Sequence, residues 1–247
     1  MHLADVTWTD ADEHETNLAV LPVGSTEQHG PHAPLGTDAF TAEAIAEAGL
    51  ERADSDGVLA PTIPVGVAEE HRHFSGTLWV SEATFRSYVG ETIESLASHG
   101  WDRVVVVNGH GGNVDPLREV CGRLVRDELA YAVPFTWFDA VDTGDTDVSM
   151  GHGGPVETSL LLALQDTRVH TDRLDAARTD AADSWGEWVS GVNLAYDAAE
   201  FADNGVVGDP TESSDDLGRT LFEDAQSKLA TLLDVVADRD VSRPAHR

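Results

Sequence analysis

A run of four consecutive valines lies between Arg103 and Asn108. A strand without alternating polar residues has to be buried on both faces, as happens in a parallel sheet that helices cover on both sides. The run leads directly into the glycine-rich segment NGHGGN, residues 108–113, and then into a helical pattern. This order favours an α/β fold in which the loops at the carboxyl ends of the strands carry the functional groups.

Apolar runs predict three further strands, and amphipathic or alanine-rich runs predict five helices. We expect strands at 17–23 and 131–138, and a short strand that starts at 58 and runs into a proline-broken loop ending at 67. We expect helices at 39–53, around 117–125, at 157–164 and at 217–236, and a further helix that Ser81 caps and Gly100 ends. An acidic loop is expected at 139–147, and residues 172–203 have no clear period. Since the chain contains no linker or repeat, we predict a single three-layer α/β/α domain over residues 1–247, with a mostly parallel sheet.

The formal net charge is −30, from 45 acidic and 15 basic residues, and Lys228 is the only lysine. This charge opposes binding to nucleic acids or anionic membranes, so neither is expected as a partner. The acidic residues are spread among periodic apolar segments, which favours a folded, strongly solvated protein. Such a composition is typical of a halophilic organism, where high salt screens the repulsion. With no membrane-spanning run and no export signal, we expect a cytoplasmic location.

The loop after the first strand, within residues 21–38, carries Glu27, His29, His32 and Asp38. Glu27 and His29 are two residues apart, so in an extended segment their side chains point to the same side. Pro31 and Pro34 then turn the chain back. Carboxylate and imidazole donors that converge at the end of a rigid strand suit a divalent metal ion. The alternative is an exposed acidic loop in which these residues are only solvated.

Further histidines and acids follow other strands: His110, His152 with Glu157, and the pair His71 and His73. If the strands are parallel, these loops emerge at one edge of the sheet. Glycines on both sides of His110 and His152 would let backbone and substrate approach closely. For His71 and His73, an exposed polar loop is an equally good interpretation.

The sequence lacks the motifs that are typical of several other enzyme classes. The chain contains no G-x-S-x-G, no G-x-x-x-x-G-K-[ST] and no complete G-x-G-x-x-G, so a serine hydrolase and a nucleotide-cradling loop are both unsupported. Cys121 is the only cysteine, which excludes an intrachain disulfide. It falls on the apolar face of a helix, where a small buried hydrophobic residue is expected rather than a nucleophile.

Three ordered motifs, GSTEQHGPHAPLGTD, NGHGGN and HGGPVETSLLLAL, together resemble the creatininase (creatinine amidohydrolase) family. The resemblance covers about residues 18–164, with a weaker echo in GVVGDPT at 205–211. It implies one α/β domain, a homo-oligomer such as a hexamer, and two divalent zinc, manganese or iron ions per chain that serve C–N bond hydrolysis. Matched by motif, the family's metal ligands correspond to Glu27, His29, Asp38 and His110, with Asp38 in the bridging position.

The chain departs from creatininase proper at two positions. Gly112 stands where a glutamate ligand is expected, and Gly151 stands where a glutamate precedes the HGG histidine. The GHGGN form resembles other branches of the family, in which we expect Glu157 to complete the centre. Those branches include an archaeal deformylase of a formylamino-pyrimidine nucleotide in flavin and deazaflavin synthesis. They also include peptidases that trim a redox-cofactor precursor peptide.

The resemblance therefore implies a dinuclear metal-dependent amidohydrolase that acts on a small-molecule amide, through C–N bonds other than peptide bonds. We expect the deformylase reaction first, with His152 as the general acid that protonates the leaving nitrogen and His71 as the second choice. Creatinine hydrolysis and precursor-peptide cleavage are alternatives on the same centre. A metal-loaded binding protein without catalysis is the alternative from another class.

Overall fold

The computed structural model of the protein describes residues 1–142, 148 and 150–242. Four strands form one sheet in the order β2–β1–β3–β4, and every neighbouring pair is parallel. They are β1 (Leu18–Val23), β2 (Val58–Leu59), β3 (Arg103–Asn108) and β4 (Tyr131–Thr136). Of the acidic loop expected at 139–147, residues 143–147 lie outside the described residues.

Helices flank this sheet on both faces. They are α1 (Trp8–Asp12), α2 (Thr37–Arg52), α3 (Glu82–Ser98), α4 (Val114–Arg126), α5 (Trp137–Ala140), α6 (Pro155–Gln165), α7 (Leu174–Thr179) and α8 (Asp215–Ala237). Because successive strand residues face opposite sides, the valine run of β3 divides between two cores. Val104 and Val106 pack with α3 and α4, whereas Val105 and Val107 pack with α2, α6 and α8. This arrangement confirms the three-layer α/β architecture.

The predicted helix boundaries agree with the structure to within a few residues. The Ser81 side chain accepts a hydrogen bond from the Thr84 backbone N–H and caps α3, and Gly100 follows that helix with a φ of 94°. Cys121 is buried in α4, as expected. The strand expected at 131–138 was predicted too long. It ends at Thr136, because the next four residues form the short helix α5 and bury the Trp137 side chain completely.

Residues 172–203, which have no clear period, contain structure that the sequence did not indicate. The helix α7 begins there at Leu174, and an antiparallel hairpin follows, formed by β5 (Trp188–Val189) and β6 (Val192–Asn193). Most of the hairpin's apolar side chains are exposed. A two-residue strand pair is too short to produce a recognisable alternation of apolar and polar residues.

No helix among the described residues is long and apolar enough to cross a membrane. The acidic surface makes a separate prediction about stability. With a net charge of −30, we expect the melting temperature to fall as NaCl is lowered from 1 M to 0.01 M, because the Debye length grows from about 3 Å to about 30 Å and unmasks the repulsion.

Circular dichroism melts across this salt range test the prediction. The control keeps zinc at one saturating concentration in every buffer, so that a change in the melting temperature does not report loss of metal. A melting temperature that stays constant down to dilute buffer would contradict the halophilic interpretation. The prediction of a metal site does not depend on this result.

Candidate metal centre

Seven ionisable side chains from four loops meet at the carboxyl edge of the sheet, and all are buried. They are Glu27, His29, Asp38, His71, His110, His152 and Glu157, with exposed fractions between 0% and 7%. The set contains every predicted ligand and both candidate proton donors. The exposed-loop interpretation is therefore wrong for all of them, but it holds for His73, whose side chain is 52% exposed and pairs with Asp197.

Local structure explains why the first loop directs its donors inward. The Glu27 backbone N–H donates to the Leu35 carbonyl at 2.9 Å, which closes the proline-containing turn. Asp38 lies in the first turn of α2, where the helix dipole favours a negative charge. Glu27 and Asp38 thereby approach each other from the two ends of one loop.

Glu27, Asp38 and His110 form a first group that could hold a metal ion. His110 Nδ1 lies 3.1 Å from Glu27 Oε1 and 3.3 Å from Asp38 Oδ2. The other ring nitrogen of His110 is 2.6 Å from the Val67 carbonyl oxygen. A carbonyl can only accept, so His110 Nε2 carries a hydrogen. In the neutral ring, the form that binds a metal ion, the lone pair is then on Nδ1, the nitrogen beside the carboxylates.

His29, His152 and Glu157 form a second group. His29 Nδ1 donates to the Glu27 backbone carbonyl at 3.1 Å, so in the neutral, metal-binding form of the ring the lone pair is on Nε2, which faces the site. That nitrogen lies 3.0 Å from Asp38 Oδ1 and 3.9 Å from Glu157 Oε2. The two oxygens of Asp38 thus face different histidines, which is the arrangement expected of a bridging carboxylate.

Glu27, His71 and His152 form a third group. His71 Nε2 and His152 Nδ1 lie 3.6 Å and 3.7 Å from Glu27 Oε1. The two imidazole rings stack with centroids 4.2 Å apart and an angle of 20° between their planes. Two backbone hydrogen bonds with Val207, of 3.0 Å and 2.8 Å, hold His152 in place. Val207 belongs to the GVVGDPT segment, which therefore has a structural role at the site.

The donor atoms fit a divalent metal. Four buried atoms, Glu27 Oε1 and Oε2, His29 Nε2 and Asp38 Oδ2, have no hydrogen bond of acceptable geometry among the described residues. A buried polar atom without a partner costs free energy, so its presence needs an explanation. Carboxylate oxygens and imidazole nitrogens are ligands for zinc, manganese and iron. The three residues that carry these atoms all belong to groups whose donor atoms lie within 4.8 Å of one another, as ligands of a shared centre would.

The histidines of the site fall into two groups, one with raised and one with lowered pKa values. Burial acts to lower the pKa of His29, but Asp38 and neighbouring carboxylates outweigh it and raise this pKa to about 10. The carboxylates also outweigh burial at His110, whose pKa lies well above its usual value. Burial lowers the pKa of His71 to about 4 and that of His152 well below its usual value. The positions of His29 and His110 therefore favour positive charge, which a cation can supply.

The two carboxylates nearest His29 have pKa values shifted in opposite directions. Burial acts to raise the pKa of Asp38, but His29 and His110 outweigh it and lower this pKa to about 2. Burial raises the pKa of Glu157 to about 7. Asp38 is therefore charged at neutral pH, as a bridging ligand must be, and a cation beside Glu157 would stabilise its charged form.

A cavity of about 550 Å³ opens onto these residues. Its apolar wall is formed by Phe138, Met150, Trp185 and Val207, and the lining also contains the acidic side chains of Glu70 and Asp183. The described residues that line it include no lysine or arginine. Before any metal ion is bound, the lining therefore combines an apolar wall with acidic and histidine side chains.

The structure gives a physical reason for both departures from creatininase proper. A Cβ atom on Gly112 would lie 2.1 Å from the Val67 carbonyl oxygen, which accepts the His110 hydrogen bond. A Cβ on Gly151 would lie 2.1 Å from the Val207 carbonyl oxygen, and the φ of Gly151 is 62°. Neither position accepts a glutamate without a change of backbone.

Three residues near the centre were missed by sequence reasoning: Gln28, Glu70 and Trp185. Glu70 Oε1 lies 3.9 Å from His110 Nε2, and the Trp185 ring meets the His71 ring edge to face with centroids 5.5 Å apart. Gln28 lies between Glu27 and His29, and that position was the one available signal for it. Trp185 lies in the segment without a period, so no pattern indicated it.

Comparisons with known proteins match most of the chain. A family model described as "Creatininase: Creatinine amidohydrolase" matches residues 4–233. The chain is 36% identical over 214 residues to the mycofactocin precursor peptide peptidase of Mycolicibacterium smegmatis, which covers 83% of this chain and 79% of that protein. It is 30% identical over 200 residues to the creatinine amidohydrolase of Pseudomonas putida, which covers 70% of this chain and 75% of that protein.

A solved structure of a mutant creatininase complexed with creatine has the same fold. It matches with a TM-score of 0.79 and 25% identity, and the match covers 94% of this chain and 96% of the other. Family model, relatives and fold agree over most of the sequence. The chain belongs to the creatininase family.

Proposed function

We propose that the protein is a dinuclear metal-dependent amidohydrolase that cleaves a C–N bond in a peptide or another amide without a phosphate group. The observation that carries the proposal is the Asp38 carboxylate, whose oxygens lie 3.0 Å from His29 Nε2 and 3.3 Å from His110 Nδ1. Glu27, Asp38 and His110 would hold one zinc, manganese or iron ion, and His29, Asp38 and Glu157 the second. When bound, such ions supply a hydroxide nucleophile near neutral pH and polarise the amide carbonyl.

His152 is proposed to carry the proton. Its Nε2 lies 2.6 Å from the Gln28 carbonyl oxygen and therefore bears a hydrogen, which leaves a lone pair on Nδ1 toward the centre. Because burial keeps the pKa of His152 low, the ring is neutral before reaction. It can take a proton from the attacking water and deliver it to the leaving nitrogen, so it acts as a base first and then as the acid.

The charge of the cavity supports the choice of substrate. A nucleotide substrate carries a phosphate, which arginine or lysine would normally bind. The described lining contains neither of these residues and instead includes the acidic side chains of Glu70 and Asp183. The related mycofactocin precursor peptide peptidase is named for a peptide substrate, which needs no arginine or lysine to bind a phosphate. We therefore propose a peptide amide as the substrate in preference to the formylamino-pyrimidine nucleotide. Creatinine serves as a small amide for comparison.

A substrate panel tests the proposal. The protein is purified without chelator, its metal is measured, and hydrolysis is followed for unphosphorylated peptides, creatinine, and a formylamino-pyrimidine as nucleotide and as nucleoside. The nucleotide and nucleoside form a matched pair that differs only in the phosphate. We expect peptide hydrolysis, and slower turnover of the nucleotide than of the nucleoside.

Two results would contradict the proposal in different ways. Faster turnover of the nucleotide would overturn the substrate assignment and favour the deformylase. Two bound metal ions without hydrolysis of any amide would favour a metal-loaded binding protein. In that case the proposed metal ligands would still be correct, but the proposed catalytic role of His152 would be wrong.

A further inference from the structure

The side-chain amide of Gln28 is buried beside the centre and is held by two backbone groups of opposite polarity. Its Oε1 lies 2.9 Å from the Gly30 backbone N–H, and its Nε2 lies 2.9 Å from the Gly205 carbonyl oxygen. An N–H can only donate and a carbonyl can only accept, so the orientation of the amide is determined by the backbone. Exchanging the two ends would break both hydrogen bonds.

This orientation determines which nitrogen of His71 carries the hydrogen. Gln28 Nε2 also lies 3.0 Å from His71 Nδ1, and an amide nitrogen has hydrogens but no free acceptor site. His71 Nδ1 must therefore accept. The neutral ring then carries its hydrogen on Nε2, the nitrogen that lies 3.6 Å from Glu27 Oε1.

The same residue has the opposite effect on His152. The Gln28 backbone carbonyl accepts from His152 Nε2 at 2.6 Å, which leaves the lone pair on Nδ1. His71 and His152 stack face to face, with centroids 4.2 Å apart. Two adjacent imidazoles thus present different groups to the centre, an N–H from His71 and a lone pair from His152.

We propose that Gln28 is a positioning residue that keeps His71 as an N–H donor toward the reacting carbonyl oxygen and prevents it from becoming a metal ligand. The inference rests on the proposed amidohydrolase function, and it divides the chemistry between the two histidines. His152 exchanges the proton with water and leaving nitrogen, whereas His71 stabilises the negative charge that develops on oxygen. The third group of donors, formed by Glu27, His71 and His152, is then a reaction site rather than a third metal site.

The direct test needs no variant. In zinc-loaded protein labelled with ¹⁵N-histidine, long-range ¹H–¹⁵N spectra distinguish a ring nitrogen that carries hydrogen from one with a lone pair. We expect His71 and His152 both to carry hydrogen on Nε2. Hydrogen on Nδ1 of His71 would overturn the inference even if the protein proved to be an active amidohydrolase.

The substitution Gln28→Glu is the second test, because a carboxylate accepts where the amide donates. We expect the His71 hydrogen to move to Nδ1, while His152 stays unchanged because its partner is a backbone carbonyl. Turnover should fall by roughly 10²–10³-fold, the usual effect of losing one oxyanion donor. Zinc content should remain at two ions per chain or rise, since His71 Nε2 becomes a potential ligand.

The matched control is Gln226→Glu, which makes the same change of charge on α8, away from the cavity. It should leave both the spectra and the rate unchanged. A shifted His71 hydrogen with normal turnover in Gln28→Glu would overturn the donor role. If the wild-type protein hydrolyses no amide, the proposed function fails, while the spectra still decide whether Gln28 orients His71.

Discussion

Asp38→Ala is expected to remove both metal ions and to reduce amide hydrolysis to background. The two Asp38 oxygens face His29 and His110, 3.0 Å and 3.3 Å from the ring nitrogens, so one substitution takes a ligand from each proposed metal position. Without the ions, no activated nucleophile forms at neutral pH, and we expect a loss of at least about 10⁶-fold, the lower end of enzymatic rate enhancements. Metal content by mass spectrometry after dialysis without chelator, together with turnover, measures both effects.

Two further variants make this result interpretable. Asp38→Asn keeps the size of the side chain, so it serves if the alanine variant fails to fold through loss of the buried partner of two histidines. Asp183→Asn removes an acid of the cavity lining that belongs to none of the three donor groups, and it should keep two ions per chain. Full metal content in folded Asp38→Asn and Asp38→Ala would show that the carboxylate does not bridge.

His152→Ala has the second largest expected effect. Its Nδ1 lies 3.7 Å from Glu27 Oε1, its pKa is low, and its backbone is held by Val207. If His152 carries the proton, turnover should fall by roughly 10²–10⁴-fold, the usual contribution of general acid–base catalysis, while metal content stays nearly intact. Rate, metal content and melting temperature are measured on the same preparation.

The other possible roles of His152 give different patterns. A ligand role would remove metal together with activity, because His152 belongs to the second donor group. A purely structural role would lower the melting temperature and leave the rate per folded molecule unchanged. His73→Ala is the matched control, since this exposed histidine pairs with Asp197 outside the cavity lining. Normal turnover with metal retained would move the proton transfer to His71.

The division of roles between the two histidines could not be resolved from the motifs. Both were predicted as donors of a proton, with His152 first. The structure shows that the neutral His152 presents a lone pair, so it must receive a proton before it can donate one. The preference for His152 remains a prediction, and the role that we propose for it changes from an acid alone to a base first and then an acid.

Much of the fold and of the metal centre followed from local patterns. The valine run of β3 has a single physical solution, a strand covered on both faces, and parallel strands bring the loops that follow them to one edge. The loops that carry Glu27, His29, Asp38, His110 and Glu157 could therefore be placed at one edge from the sequence, whereas their assignment as metal ligands rests on the family resemblance and remains a prediction. Distances of 3.0–3.9 Å between their side-chain atoms confirm that these residues converge.

Tertiary structure alone decided which atoms of these side chains face one another. The hydrogen bond between Gln28 and Gly205 joins residues 177 positions apart, and no periodicity along the chain encodes it. The Val67 carbonyl, 43 positions from His110, determines which ring nitrogen faces the carboxylates and also excludes a side chain at Gly112. Sequence patterns report the faces of helices and strands, whereas hydrogen-bond direction depends on distant backbone groups. Sequence motifs could therefore indicate candidate ligands, whereas only the packed chain determines how their side chains are oriented.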